Sequence, residues 1–189
     1  VVAPVPLRTR AFYGIGAMPA MIVNNSIASF VLLYYNLVLG MPAPLVGTAL
    51  AIALVIDGIS DPIVGYASDR FRSRWGRRHP FMYLAIAPLG VCFYLLWNPP
   101  LDLLGPDGLF FYLLGVVTPI YLILTFFEVP HVALLPELTP DYDERSTLAT
   151  YRQSAGQLGY TLLMLVVYGY FLRDTAEYEN GLLNPAGYE

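Results

Sequence analysis

The chain of 189 residues is 57% hydrophobic and only 13% charged, with a net charge of −4 and a mean hydropathy of +0.57. That is too little polar side chain to cover a soluble domain of this size, which puts the chain in a bilayer. All ten basic residues are arginines gathered at a few points, no footprint for nucleic acid, and the single cysteine, Cys92, excludes an internal disulfide or a Cys-based zinc site.

In chain order, Arg8 and Arg10 precede a first apolar segment at about 12–39, interrupted by Gly14, Gly16, Pro19 and the polar trio Asn24, Asn25, Ser26. It is too long for a signal-peptide core and no cleavage-like site follows, so it reads as an uncleaved span with its polar trio facing protein or a cavity. A four-residue link, Met41 to Pro44, leads to a second span at about 45–67, and so short a link predicts antiparallel neighbours. An arginine-rich loop, 68–79, follows, and Pro80 opens a third span to about Trp97. A Pro/Gly-rich loop then precedes a fourth span, about 108–135, carrying Pro119 and Pro130. The polar loop PELTPDYDERS joins it to a fifth, about 147–172, and the tail after Arg173 is acidic.

Five spans alternate sides, and nine of the ten arginines then fall on one side. By the positive-inside rule the N-terminus and the loops after spans two and four are cytoplasmic. The expected architecture is an all-α membrane protein of five transmembrane helices with no separate soluble domain. Transporter halves with inverted repeats hold six spans, and this sequence stops where a sixth would start, so the chain reads as the amino-terminal part of a longer protein.

Acids inside apolar runs carry the functional reading, because a charge at mid-bilayer costs about 2.5–3.5 kcal/mol on insertion scales and so marks a cavity with a partner. Asp57 and Asp61 lie four apart on one helical face, with Ser60 on nearly the same face. Two carboxylates and a hydroxyl suit Na⁺ or a proton. The alternative is that Asp61, before Pro62, caps a broken helix while Asp57 bonds a neighbouring hydroxyl. In the fourth span Tyr121, Thr125 and Glu128 form a polar stripe, and Pro130 leaves a carbonyl on the preceding turn without its donor. His131, on the adjacent face, reads more readily as a packing residue than as a proton relay. Arg152 is either a counter-ion for these acids and a fork for a hydroxyl-rich or anionic ligand, or a snorkelling interfacial arginine.

The loop GYASDRFRSRWGRRHP sets Asp69 beside Arg70 and four residues after Gly65. Orientation alone explains its arginines, but an acid that pairs with them in one conformation and releases them in another also suits a cytoplasmic gate. Gly65, Asp69, Arg70, Gly76, Arg77 and Arg78 resemble the loop signature of the major facilitator superfamily. Together with DGISDPIVGY and VPHVALLPELTPDYDERSTLATYRQSAG, they resemble the glycoside-pentoside-hexuronide:cation symporters of that superfamily, the melibiose-permease type, over about 13–159.

The resemblance implies a twelve-span fold in two six-helix bundles, of which this chain holds most of the amino-terminal one. It implies a cation site at Asp57, Ser60, Asp61 and Thr125, with Ser60 standing in for an asparagine. It associates Arg152 and Glu128, the latter replacing an aspartate, with the solute site, where Tyr121 joins them on the stripe. Met21 and Val132 occupy the places of a sugar-binding aspartate and a sugar-stacking tryptophan. The expected function is secondary active symport of a sugar, glycoside or related small solute with Na⁺ or H⁺, by alternating access in a bacterial inner membrane. The expected partners are the solute, a monovalent cation, the bilayer and a carboxy-terminal half; no cofactor, nucleic acid or enzymatic role is expected. An intramembrane aspartyl protease would place its two aspartates on facing helices, typically in a Gly-x-Gly-Asp signature, which this sequence lacks. A transporter-fold sensor or scaffold, or a fragment inactive alone, is the alternative, because fold does not fix function.

Overall fold

The computed structural model describes residues 5–71, 73–74, 78–105, 108–172 and 188, and among these every regular element is a helix. Helix α1 spans Leu7–Val38, α2 Ala43–Arg70, α3 His79–Trp97 and α4 Gly108–Leu138; α5 runs over Tyr142–Val166 and continues as a π-helical turn, Val167–Phe171. By length and composition α1 to α4 are each apolar enough to cross a membrane. The fifth falls below that hydropathy because its first half carries Asp143, Glu144, Arg145 and Arg152.

Local chemistry explains the irregularities. Helix α1 relaxes at Ala17, ahead of Pro19, which lacks the amide that would continue the ladder, and it widens into π-helical turns at Ile27–Val31 and Tyr34–Val38. Its end is closed by Met41 N–H to the Tyr35 carbonyl at 2.8 Å and Asn36 Nδ2 to the Met41 carbonyl at 2.7 Å. The chain reverses through Gly40, whose φ of 74° is left-handed and favours glycine. Helix α2 runs unbroken through Pro62, so Asp61 caps no helix end. Helix α4 likewise continues through Pro119 and Pro130, and Asp141 caps α5 by accepting the Glu144 amide at 2.9 Å.

Helix α4 is the central member. It buries Leu113, Val117, Ile120 and Leu124 against α2, where Ala49 and Ala53 allow close approach, and against α3. Helix α5 packs along α1, forming a second group. At one end of the bundle Tyr34 and Tyr35 donate to the carbonyls of Trp97 and Leu96, at 3.1 and 2.9 Å, satisfying acceptors that the end of α3 leaves open. Leucines, isoleucines and valines such as Val55, Ile59, Ile63, Leu84, Val91, Leu162 and Leu165 point outward, the inverse of a water-soluble bundle and the surface that lipid tails or further helices cover.

Candidate cation and solute site

An open cleft of about 460 Å³ lies where α1, α2, α4 and α5 meet. Four helices contribute polar groups to it: α1 gives Asn24, α2 gives Asp57 and Asp61, α4 gives Tyr121, Thr125 and Glu128, and α5 gives Arg152. Between them the wall is apolar, formed by Leu124, Val129, Val132 and Ala133.

Three oxygen-bearing side chains meet on the α2–α4 seam. The buried Thr125 hydroxyl donates to Asp57 Oδ1 at 2.6 Å, while its oxygen lies 3.1 Å from the Tyr121 carbonyl. Ser60 donates to the Asp57 carbonyl at 2.8 Å and sits 3.5 Å from Thr125 Oγ1. Asp61, one turn along α2, opens into the same cleft. Two carboxylates and two hydroxyls within about one helical turn are hard donors of the type that take an alkali cation, and either carboxylate can take a proton instead.

One turn further along α4, Glu128 Oε1 pairs with Arg152 Nη2 of α5 at 3.4 Å, both side chains being partly buried. Among the described residues this is the ion pair that crosses the cleft. Pairing is what the desolvation cost of each charge requires. His131 is turned away, buried and sandwiched between the rings of Tyr13 at 4.6 Å and Phe127 at 5.7 Å. Its Nε2 lies 3.0 Å from where a Cβ on Gly16 would stand, so it is a packing residue between α1 and α4.

The polar trio of α1 divides. Asn25 donates to the Met21 carbonyl at 2.8 Å and Ser26 to the Ile22 carbonyl at 2.6 Å, which spends both on their own helix, whereas Asn24 faces the cleft. Met21 does not reach the cleft; it lies against Gly156 of α5. The α1 contribution therefore comes three residues later than the resemblance places it. The missed signal was that side chains at 21 and 24 lie about 60° apart on a helix, enough to separate an interface from a cavity.

At the other end of α2, Asp69 Oδ1 accepts from Arg78 Nη2 at 2.8 Å, and Arg78 Nη1 lies 3.4 Å from Glu137 Oε1 at the end of α4. Arg70, adjacent in sequence to Asp69, instead stacks its guanidinium 4.1 Å over the Tyr66 ring. The acid thus pairs across the loop, because neighbouring helical side chains point about 100° apart. Gly65 faces Val129, where a Cβ would meet Cγ1 at 3.5 Å, and Gly76 and Arg77 lie outside the described residues. Sequence reading also passed over Glu144, whose carboxylate holds Arg10 Nη2 at 3.0 and 3.1 Å and ties the start of α5 to the start of α1.

A second cleft, about 430 Å³, opens between α1, α3 and α5; among the described residues it is lined by Phe30, Phe93, Tyr94 and Trp97 and by no charged side chain.

The sequence profile of a family described as MFS/sugar transport protein matches residues 12–188. A symporter of Synechocystis sp. is 37% identical over 164 residues, covering 85% of this chain and 30% of its own. The inner membrane symporter YicJ of Escherichia coli is 31% identical over 162 residues, covering 84% and 35%, and the isoprimeverose transporter of Lactiplantibacillus pentosus is 26% identical over 162 residues, covering 86% and 33%. The chain thus spans about a third of the length of the curated relatives it matches. With a profile covering nearly its whole length and relatives that are symporters, the chain belongs to the MFS/sugar transport protein family, and within it to the glycoside-pentoside-hexuronide:cation symporter group that its loop resembles.

Proposed function

We propose that this chain supplies the cation site and one wall of the solute pathway of a cation-coupled symporter for a sugar, glycoside or similar small solute. The observation that carries the proposal is the union, in one cleft, of Asp57, Asp61 and Thr125, with Ser60 behind Thr125 on the seam, and the Glu128–Arg152 pair. A Na⁺ or H⁺ at Asp57 and Asp61 relieves their mutual repulsion and strengthens the α2–α4 seam. Because Glu128 stands one turn from Thr125 on the same helix, that seam sets the solute contacts at Glu128 and Arg152. Loading therefore favours a closed arrangement that a free carrier disfavours, the thermodynamic requirement for symport. The solvent-side bridge of Asp69, Arg78 and Glu137 is suited to hold one of the two arrangements until loading breaks it. The distribution of arginines supports a cytoplasmic N-terminus, and the name of the E. coli relative supports an inner membrane.

The test is uptake by the full-length protein in proteoliposomes under a Na⁺ or pH gradient. Asp57→Asn should abolish gradient-driven uptake while leaving expression and folding intact. Wild-type uptake in that variant sinks the cation assignment, and a transporter-fold sensor would show gradient-driven uptake in neither protein.

A further inference from the structure

We infer that Tyr13 of α1 is a positioning residue for Arg152 of α5. Its phenol oxygen takes the Nε–H of the guanidinium, directly or through one enclosed water, and so sets the plane in which Arg152 faces Glu128 and a solute. The inference rests on the symport reading and deepens it, because that reading gives Arg152 to the solute site.

Two buried atoms carry the argument. Among the described residues, Tyr13 Oη and Arg152 Nε are sealed from solvent without a hydrogen-bond partner. Leaving either in that condition costs its desolvation with nothing in return, which native interiors rarely tolerate. Their chemistries are complementary, since Nε only donates and a phenol oxygen accepts. Their helices also touch beside them. A Cβ on Gly14, the residue after Tyr13, would stand 2.9 Å from the carbonyl oxygen of Tyr151, the residue before Arg152. The Arg152 charge is felt at the Tyr13 phenol and at His131 alike.

Tyr13 is built to hold a position. Its side chain is buried, and its ring stacks on His131 at 4.6 Å with the planes 9° apart; His131 stacks in turn on Phe127, the residue before Glu128. A phenol fixed in this way offers a hydrogen bond at little further cost in side-chain entropy. Glu128 alone does not fix the arginine. Its contact with Nη2 is 3.4 Å, longer than the about 2.7–2.9 Å of a tight charge-assisted bond, and a single contact leaves the guanidinium free to pivot. A second contact at Nε stops that pivot, because the guanidinium is planar and rigid.

The experiment uses the detergent-purified full-length protein and the variant Tyr13→Phe, which keeps the ring stack and removes only the oxygen. Ultraviolet resonance Raman difference spectra between wild type and Tyr13→Phe isolate the Fermi doublet of this one tyrosine, whose intensity ratio reports its hydrogen bonding. The same difference is recorded in an Arg152→Met/Glu128→Gln background, which removes both charges together and strands neither. The wild-type doublet should be that of a bonded hydroxyl, and its ratio should change in the second background. In proteoliposomes given a panel of labelled glucosides, galactosides and xylosides under a Na⁺ or pH gradient, Tyr13→Phe should raise the KM of the transported member about fivefold, the loss of one hydrogen bond, with Vmax within about twofold of wild type. The Na⁺-induced shift of the thermal midpoint should keep its wild-type size, because the cation site lies on other residues. A free-phenol doublet in the wild type, a doublet indifferent to the loss of Arg152, or an unchanged KM in Tyr13→Phe overturns the inference. A wild type that takes up no glycoside under either gradient counts against the symport reading instead, and the Raman comparison still decides whether Tyr13 holds Arg152.

Discussion

The Thr125 hydroxyl reaches across from α4 to place its proton on Asp57 Oδ1 of α2 at 2.6 Å, and this contact joins the two most extensively packed helices at the point where their polar groups meet. A hydrogen bond to a carboxylate is worth about 1.5–3 kcal/mol, more than most neutral bonds. The contact also fixes where the second carboxylate oxygen points, which is what a cation site needs from its surroundings.

Thr125→Val keeps the shape of the side chain and removes the proton. Apparent Na⁺ affinity, read as the midpoint of a thermal-shift titration, should fall about tenfold, the equivalent of about 1.4 kcal/mol. Thr125→Ser restores the hydroxyl and should recover most of the affinity. Unchanged affinity in Thr125→Val would mean that Thr125 merely satisfies Asp57.

Arg78 leads to a prediction about asymmetry. Its side chain is 11% exposed, whereas its partners Asp69 and Glu137 are 60% and 38% exposed. Deleting the arginine leaves two carboxylates that water can reach, so Arg78→Gln should cost only about 1 kcal/mol of stability. Deleting both acids strands a buried guanidinium, and the double variant Asp69→Asn/Glu137→Gln should cost about 3 kcal/mol. Thermal midpoints of the three proteins decide it; a larger loss in Arg78→Gln would show that the arginine acts through packing of its stem. Arg78→Lys should fall short of wild type, because one ammonium lacks the planar fork that spans the ends of α2 and α4.

These particulars show which parts were legible in the sequence. Hydropathy and the antiparallel order of short links convey an all-α membrane bundle, because a bilayer leaves no other use for such runs. The spacing of Asp57, Ser60 and Asp61 conveys a shared face, because helical periodicity is local. Pairings between helices were not legible in the same way. Arg10 and Glu144 are 134 positions apart and nothing in either neighbourhood names the other. The loop places Asp69 among several arginines without saying which one it meets; the structure pairs it with Arg78, nine positions away, while the adjacent Arg70 stacks on Tyr66. Likewise Met21 held the position that the resemblance associates with solute, yet the absence of a side chain at Gly156 draws it toward α5 and leaves the cleft to Asn24.

That last contact can be turned into a test of how closely α1 and α5 must approach. A Cβ on Gly156 would stand 2.6 Å from Met21 Cγ, and one on Gly14 would stand 2.9 Å from the Tyr151 carbonyl oxygen. The first obstacle is a flexible side chain and the second is backbone, which can move only by parting the helices. An alanine in place of a helical glycine gains about 1 kcal/mol of propensity, so any net loss measures the clash. Gly14→Ala should therefore lower the thermal midpoint by more than Gly156→Ala does. Met21→Ala should rescue Gly156→Ala and leave Gly14→Ala unrescued. Gly115→Ala, where nothing lies within 4 Å, should be neutral or stabilising. If Gly14→Ala also proves neutral, α1 and α5 have room to separate, and the pair does not move as the rigid unit that rocking one bundle against another requires.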